Sequence, residues 1–236
     1  MDSKTDMWKM VETAIEHLRV VCVCGKPGIG KTYAAQNGQN PEGVVSVNLS
    51  EDTVVQELFG HYVPEGNRFV YHDGPVIDAM RNGKVMVVNE LGRASRAVQD
   101  ALLGALDSIA SARVTLPSGE TVTAHNGFRA IITSNDTVEN LDQALRDRCE
   151  SVINLTEPHP DLVKALNEAM PSLGDAVRES YSDPDRAIST RASFAFAKLV
   201  NAGVPEKVAG TLVYGPRADD ILNTLRLRKS ATAGKP

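Results

Sequence analysis

The stretch GKPGIGKT, residues 25–32, matches the phosphate-binding pattern GxxxxGK[ST] in full and directly follows an apolar run at residues 20–24. A strand that leads into this pattern is the context of a P-loop. Its glycines let the backbone turn N–H groups inward around a triphosphate. Lys31 adds a point charge for the β and γ phosphates, and Thr32 offers a hydroxyl to Mg2+. The stretch therefore predicts a nucleotide-binding α/β domain.

The loop and the residue after it form the predicted nucleotide contact, which comprises Gly25, Pro27, Gly28, Ile29, Gly30, Lys31, Thr32 and Tyr33. A phosphate cradle alone binds nucleotide, whereas hydrolysis also needs a carboxylate near the attacking water. Glu90 is the candidate base, because it follows a strand-length apolar run at the edge where open α/β sheets bind ligands. The alternative is a solvated glutamate at a strand end.

Asn89 lies where P-loop enzymes usually carry an aspartate that holds Mg2+ through a water. Its amide oxygen can accept the same hydrogen bond, but it lacks the charge that makes such bonds about twice as strong. We therefore predict a metal site formed by Thr32 and Asn89, with weak Mg2+ retention or slow turnover. The alternative is that Asn89 caps the following segment, a common use of asparagine.

Five apolar segments of strand length alternate with helical or hairpin material, which favours a parallel sheet covered by helices. They lie at residues 20–24, 44–49, 85–88, 128–133 and 151–155. No further strand is predicted after Pro158 and Pro160, and helical spacing begins near residues 161, 189, 205 and 216. We predict two domains: a nucleotide-binding α/β domain over residues 1–157 and a small helical domain over residues 158–236.

Two turns, at residues 64–67 and 117–120, predict β-hairpins. The first hairpin holds Tyr62, Phe69 and Tyr71 in a chain that is only 5% aromatic. These rings either contact a polypeptide or pack against one another across the hairpin, because aromatic pairs stabilise isolated ribbons. Both interpretations stay open at the level of the sequence.

Composition limits the setting and the partners. The 236 residues carry a formal net charge of -5, which gives no overall basic surface for nucleic acid. Three cysteines cannot form a disulfide framework, so we expect a reducing, cytoplasmic environment. Charged residues precede the first apolar run and no segment approaches bilayer length, so we expect neither a signal peptide nor contact with a membrane.

Two longer stretches carry a family resemblance. KVMVVNELGRASRAVQDALLGALDS, residues 84–108, resembles the Walker B strand and following helix of the MoxR branch of AAA+ ATPases, apart from the asparagine at position 89. ELFGHYVPEGNRFVYHDGPVIDAMRNG, residues 57–83, is similar to the hairpin-bearing segment that precedes Walker B in that branch. The resemblance implies an AAA+ P-loop domain with a five-stranded parallel sheet and β-hairpin insertions, followed by a small all-α lid.

The resemblance also implies roles for four polar residues. Asn135, in FRAIITSND, matches the sensor 1 asparagine that orients the attacking water, although a turn asparagine is the alternative. Arg148, in LRDRC, matches the arginine finger that reaches the γ-phosphate of a neighbouring subunit. Arg146 is the second choice, and an exposed helix-end arginine is the alternative for either. Arg191 resembles the sensor 2 arginine of the lid, which acts on the nucleotide of its own subunit.

The function that the resemblance implies is a ring-forming, hexameric, Mg2+-dependent ATPase that remodels a partner protein in the manner of MoxR-type chaperones. The choice of ATP rests on the resemblance, as does a partner with a von Willebrand factor A domain. Two other functions stay open: a nucleic-acid-associated AAA+ motor subunit, and a slow-hydrolysing, nucleotide-gated assembly switch. Balanced charges in both predicted hairpins disfavour the first, whereas Asn89 would suit the second.

Overall fold

The computed structural model describes residues 7–233 apart from 38, 40, 184 and 185. These residues form two compact units. The first contains the described residues up to Gly25 together with Lys31–Asn154, and the second contains Lys26–Gly30 together with the described residues from Leu155 onward. The middle of the phosphate-binding loop therefore groups with the later part of the chain. The domain boundary at residues 157 and 158 stays a prediction.

A parallel sheet organises the first part of the chain. The strands of the described residues are, in chain order, β1 (Val20–Gly25), β2 (Val44–Asn48), β3 (Gly60–Glu65), β4 (Arg68–Asp73), β5 (Val85–Asn89), β6 (Arg113–Thr115), β7 (Thr121–Thr123), β8 (Arg129–Ser134) and β9 (Ser151–Leu155). Five of them form the sheet in the order β2-β5-β8-β1-β9, which confirms the predicted α/β fold. Both β1 and β5 are buried along their whole length, which explains their continuous apolar sequences.

The parallel register aligns the carboxyl ends of neighbouring strands. Asn89, at the end of β5, is in register with Thr133 of β8 and with Asn48 of β2. Cys24 of β1 is in register with Ser134, the last residue of β8. The residues that follow these strands therefore emerge at one edge, which is where parallel α/β sheets bind their ligands.

Helices of the first unit surround this sheet. They are α1 (Met7–His17), α2 (Lys31–Gln36), α3 (Val55–Phe59), α4 (Pro75–Asn82), α5 (Arg96–Leu106) and α6 (Gln143–Arg148). The fully buried side chains of Met86 and Val88 from β5 share one apolar cluster with Met80 of α4 and Leu102 of α5. Burial of such side chains contributes about 1.5–3 kcal/mol each relative to exposure, so this cluster holds the sheet edge in place.

Both predicted hairpins are present, β3 with β4 and β6 with β7. Tyr62 and Tyr71 are partners across the first hairpin, with ring centroids 5.3 Å apart in an edge-to-face arrangement. These two rings therefore pack within the ribbon, as one interpretation of the sequence required. Phe69, in contrast, has 73% of its surface exposed and stays available to a partner.

Arg81 of α4 joins the two hairpins. Its Nε donates to Asp73 at the end of β4 (2.7 Å), and its Nη1 and Nη2 donate to both carboxylate oxygens of Glu120 in the β6–β7 turn (2.6 and 2.9 Å). The hydrogen bonds that Arg81 donates to Glu120, and after them the one it donates to Asp73, raise the pKa of Arg81 above its ordinary value. One carboxylate from each hairpin is thus paired with the same arginine of α4.

The second unit is helical. Its helices are α7 (Pro160–Ala169), α8 (Leu173–Ser180), α9 (Thr190–Asn201), α10 (Glu206–Tyr214) and α11 (Ala218–Ala233). Leu166, Leu173 and Phe196 are fully buried in it. No strand begins after Pro160 among the described residues, in agreement with the sequence, although the separate helix α8 was not predicted. Within the part of the chain that the structure describes, no helix is long and apolar enough to span a membrane.

Candidate nucleotide-binding site

Lys31, the first residue of α2, is almost completely buried, with 6% of its surface exposed. Its Nζ donates to the carbonyl of Gly25 (2.6 Å) and to Oδ1 of Asn135 (2.8 Å). Burial lowers the pKa of Lys31 to about 8, while the nearby Glu90 carboxylate opposes this change by favouring the ammonium. The lysine is therefore fixed between the end of β1 and the residue after β8, and its charge titrates close to neutral pH.

Glu90 directly follows β5 in a left-handed backbone conformation, with φ 61° and ψ 40°. For a residue with a side chain this conformation costs about 1 kcal/mol or more. Its backbone N–H donates to the carbonyl of Thr133 in β8 (3.0 Å), which holds the turn. The turn places the carboxylate against the side chain of Asn135, whose Nδ2 lies 2.7 and 2.6 Å from the two carboxylate oxygens.

The amide of Asn135 thus connects the two charged groups. Its Oδ1 accepts from the Lys31 ammonium, and its Nδ2 donates to the Glu90 carboxylate. An amide is the side-chain group that offers an acceptor to a cation at one end and a donor to an anion at the other. The structure therefore brings three of the predicted site residues into one hydrogen-bonded chain, while their catalytic roles stay predictions.

Asn89 is buried, with 4% exposure, and both the oxygen and the nitrogen of its amide form hydrogen bonds. Its Oδ1 accepts from the hydroxyls of Thr32 (2.9 Å) and Thr133 (3.0 Å), and its Nδ2 donates to Oγ of Ser46 (3.2 Å). An amide oxygen has two lone pairs, and the two hydroxyls occupy both. Asn89 therefore does more than cap the next segment, because it orients the hydroxyl of the P-loop threonine.

These contacts fit a magnesium site formed mainly by Thr32. The Thr32 hydroxyl donates its proton to Asn89, so its lone pairs stay free for a hard cation that prefers oxygen ligands. With both lone pairs of its Oδ1 engaged, Asn89 would act on Mg2+ through the orientation of Thr32 rather than as a direct ligand. The assignment of both residues to the metal stays a prediction.

The two candidate arginine fingers lie on α6 and differ in their surroundings. Arg146 is exposed, and its charge acts on Glu139, whose pKa is lowered first by hydrogen bonds and then by this arginine. Arg148 is half-buried, and its Nη1 donates to the carbonyl of Ala144 (2.9 Å) one turn earlier. The Nε of Arg148 is buried without a partner among the described residues. Arg146 can thus extend from the surface, whereas Arg148 would first have to break its hydrogen bond with the carbonyl of Ala144.

The remaining predicted contacts lie on the loop and in the second unit. Ile29 is fully buried, Pro27 is exposed, and Gly28 and Gly30 adopt positive φ angles of 77° and 109°. Tyr33 of α2 is 40% exposed. Arg191, in the first turn of α9, is exposed and takes part in none of the hydrogen bonds or ion pairs found among the described residues.

Three residues of this region were not predicted. Thr133 and Ser46 hold the amide of Asn89, and the hydroxyl of Thr190 donates to the backbone carbonyl of Gly28. Thr133 and Ser46 lie on different strands from Asn89, so only the sheet register brings the three together. The position of Thr133 at the end of a predicted strand was a usable signal, whereas nothing in the sequence singles out Thr190.

Three features define a P-loop ATPase domain of the AAA class. They are the strand order of the parallel sheet, the P-loop after β1, and the polar residues that follow the neighbouring strands β5 and β8. The family model described as "AAA domain (dynein-related subfamily)" matches residues 20–149, more than half of the chain. The chain belongs to this family. The resemblance to MoxR-type, dynein-related AAA+ ATPases is thereby confirmed.

Individual relatives agree with this assignment. Midasin of Dictyostelium discoideum is 35% identical over 124 residues, which are 50% of this chain and 2% of midasin. The denitrification regulatory protein NirQ of Pseudomonas aeruginosa is 25% identical over 235 residues, covering 90% of this chain and 88% of NirQ. The chain spans only about 2% of the length of either midasin that it matches.

The structure of NtrX from Brucella abortus, solved in complex with ADP, has a similar fold. Its TM-score is 0.53 at 17% sequence identity, and the match covers 82% of this chain and 48% of that one. At this level of identity the similarity concerns the fold alone.

We predict that nucleotide affinity falls as the pH rises through about 8, the pKa of Lys31. Only the ammonium attracts phosphate, and a lowered pKa means that the ammonium is lost at a lower pH than usual. The dissociation constant of ADP should therefore change little near pH 7 and rise by up to about tenfold per pH unit above pH 8. Fluorescence titration with mant-ADP at constant ionic strength measures it.

The control for this profile is Lys31→Arg, whose guanidinium stays charged throughout the range. Its binding should be weaker but independent of pH. A parent chain whose affinity stays constant to about pH 9.5 would show that Lys31 has an ordinary pKa or does not contact the phosphates.

We predict that Asn89→Asp tightens Mg2+ retention. The carboxylate would accept the same two hydroxyl bonds with a full charge, and the Ser46 hydroxyl can donate to its other oxygen. The Mg2+ concentration that gives half-maximal ATPase activity should fall about fivefold, as expected when a hydrogen bond becomes charge-assisted. Asn48→Asp is the matched control, because it adds the same charge at the exposed, in-register end of β2. Equal effects of both variants, or no effect of Asn89→Asp, would contradict the prediction.

Proposed function

We propose that this chain is an Mg2+-dependent ATPase that assembles into a ring and uses ATP hydrolysis to remodel or activate a partner protein. The observation that carries the proposal is the chain of hydrogen bonds from Lys31 through Asn135 to Glu90. An ammonium and a carboxylate lie at the two ends of one neutral amide, which supports a site that binds phosphate next to a general base. Membership of the AAA family supports the same chemistry.

In the proposed reaction each residue has one task. Lys31 contacts the terminal phosphates. Glu90 takes the proton of the attacking water as the water oxygen bonds to the γ-phosphorus, and the bond from that phosphorus to the β–γ bridging oxygen breaks, so that ADP leaves with the bonding electrons. Asn135 holds the Glu90 carboxylate in place and orients that water. Mg2+, held through Thr32, supplies positive charge that neutralises the phosphate oxygens. The strained backbone at Glu90 supports this assignment, because such strain concentrates at functional sites.

The arginines of α6 support the ring. Arg146 and Arg148 lie on a different element from Lys31, Glu90 and Asn135, and an arginine at a helix end can contact the nucleotide of a second copy. Arg148 is the first choice because its position resembles the finger of the family, and Arg146, which is exposed, is the second. Such a finger stabilises the charge that develops on the transferred phosphate, and it makes turnover depend on assembly. We propose a homo-oligomer, in the form of a hexameric ring. Arg191 is proposed to act on the nucleotide in cis.

The proposed partner is a protein, with a von Willebrand factor A domain as the first candidate. Phe69 supports a protein partner, because a 73% exposed ring at the end of a hairpin offers apolar surface to a polypeptide. Nucleic acid is disfavoured, because Glu120 of the second hairpin is acidic and already bound by Arg81.

A second candidate is a slow-hydrolysing assembly switch, which binds ATP and turns it over rarely. The neutral Asn89 favours it, because this amide gives the metal site less negative charge than the usual aspartate. A rate for Asn89→Asp far above that of the parent would support the switch, whereas a parent that turns over rapidly supports the remodelling ATPase.

We predict that the ATPase rate per protomer rises steeply with protein concentration and does not respond to duplex or single-stranded DNA. The rise is expected because each site needs an arginine from a neighbour. Arg148→Ala should lower the rate of the assembled protein at least about 100-fold without weakening ADP binding, as expected for a finger that acts only on the transition state.

Arg146→Ala is the matched control on the same helix, and its rate should stay close to that of the parent. If Arg146→Ala is the inactive variant, the finger is Arg146 and the ring proposal stands. The ring proposal is refuted if Arg148→Ala and Arg146→Ala both hydrolyse ATP at the rate of the parent. It is also refuted if sedimentation shows a monomer that has full ATPase activity. Strong stimulation by DNA would favour a nucleic-acid motor instead.

A further inference from the structure

Two carbonyl groups of the phosphate-binding loop accept hydrogen bonds from residues that lie much later in the chain. The hydroxyl of Thr190, the first residue of α9, donates to the carbonyl of Gly28. The backbone N–H of His159 donates to the carbonyl of Ile29 (2.9 Å). All four residues belong to the same compact unit. Two consecutive peptide groups of the loop are therefore held at their oxygen ends.

Thr190 is not explained by the local needs of its helix. Ser189 is the N-cap residue of α9, and its hydroxyl accepts from the N–H of Ala192 (3.4 Å). Thr190 is 3% exposed, so its hydroxyl is removed from solvent and must find a partner in the protein. The partner is the loop carbonyl of Gly28. The side chain therefore serves the loop rather than the helix end.

Glycines make this close approach possible. A Cβ atom at Gly28 would lie 3.0 Å from Oγ of Ser189, and one at Gly30 would lie 2.8 Å from Cβ of His159. Both glycines also have positive φ angles, which residues with side chains rarely adopt. The loop is thus shaped to lie against His159 and the start of α9.

Peptide planarity turns these bonds into a directional constraint. In a trans peptide the carbonyl of one residue and the N–H of the next point in opposite directions. A Gly28 carbonyl that faces Thr190 sends the N–H of Ile29 away from it, and an Ile29 carbonyl that faces His159 does the same to the N–H of Gly30. The N–H of Ile29 is thereby turned away from Thr190 and the N–H of Gly30 away from His159, and successive N–H groups can form anion-binding concavities.

We infer that Thr190 is a positioning residue for nucleotide binding, whose hydroxyl holds the loop in the conformation that presents these N–H groups to phosphate. The inference rests on the proposed function, because it assumes that the loop binds nucleotide. The bond from His159 comes from its backbone, so Thr190 supplies the one of these two bonds that depends on a side chain. Its place next to Arg191 links the loop to the first turn of α9.

The test compares Thr190→Val, which removes the hydroxyl at similar volume, with Thr190→Ser, which keeps it. Thr190→Val should raise the dissociation constant of mant-ADP about tenfold, since the Gly28 carbonyl loses its partner. At saturating ATP its kcat should stay within about twofold of the parent, so that the loss appears in KM. Thr190→Ser should restore both values to within about twofold.

Thr211→Val is the matched control. Its hydroxyl donates to the carbonyl of Lys207 (2.9 Å) on the exposed surface of α10, so the same substitution removes the same kind of bond away from the loop. It should leave mant-ADP binding unchanged. Thermal unfolding of all the variants separates loss of affinity from loss of fold. A further measurement uses the parent chain without any substitution. Addition of ADP should slow amide hydrogen exchange in the first turn of α9.

Several results would overturn the inference. The inference is wrong if Thr190→Val binds mant-ADP with the affinity of the parent. It is also wrong if Thr190→Ser loses as much affinity for mant-ADP as Thr190→Val does. Unchanged exchange in α9 on addition of ADP would also contradict it. A parent chain that does not bind mant-ADP at all would refute both the proposed function and this inference. If the parent binds mant-ADP and Thr190→Val binds it equally well, only the inference fails.

Discussion

The side-chain amide of Asn135 lies between an ammonium and a carboxylate, and the chemistry proposed for this chain depends on that arrangement. Lys31 donates to its oxygen and its nitrogen donates to Glu90, so neither charged group is left alone at the sheet edge. Direct contact of Lys31 with Glu90 would instead satisfy each charge with the other and leave less of either for nucleotide and water. A neutral bridge keeps both groups oriented and available.

The sheet makes this bridge possible. Because β5 and β8 are parallel neighbours in register, Asn89 lies beside Thr133, and the residues that follow each strand emerge together. One strand end thus supplies Glu90 and the next supplies Asn135. The same register brings the hydroxyl of Thr133 to the amide of Asn89, so the proposed metal side and the proposed base side of the site both depend on the pairing of β5 with β8. Within the second unit, Thr190 and His159 donate hydrogen bonds to the loop carbonyls of Gly28 and Ile29.

Much of the fold could be predicted because its signals are local. The GKPGIGKT motif, the continuous apolar runs of β1 and β5 and the turns of both hairpins each occupy a short stretch of sequence, and each has one common structural solution. Glu90 and Asn135 could also be predicted, since each directly follows a strand. Their hydrogen bond with Lys31 could not, because it joins residues 104 positions apart.

What the sequence did not predict depends on contacts between distant segments. In the sequence Thr190 is an ordinary threonine at the start of a helix. Its role is visible only in the structure, where its hydroxyl contacts the carbonyl of Gly28, 162 positions away along the chain. The different surroundings of Arg146 and Arg148 arise from the packing of α6, which leaves one exposed and turns the other back to Ala144. The hairpin register was needed to distinguish Tyr62 and Tyr71, which pack against each other, from Phe69, which is exposed.

The most direct test of the central claim is the effect of Glu90→Gln on binding and hydrolysis measured separately. This substitution keeps the shape of the side chain and removes its ability to take a proton. We expect the variant to bind mant-ATP within about threefold of the parent affinity, while its steady-state hydrolysis falls at least about 100-fold. A Glu90→Gln variant that hydrolyses ATP at the rate of the parent would contradict the central claim.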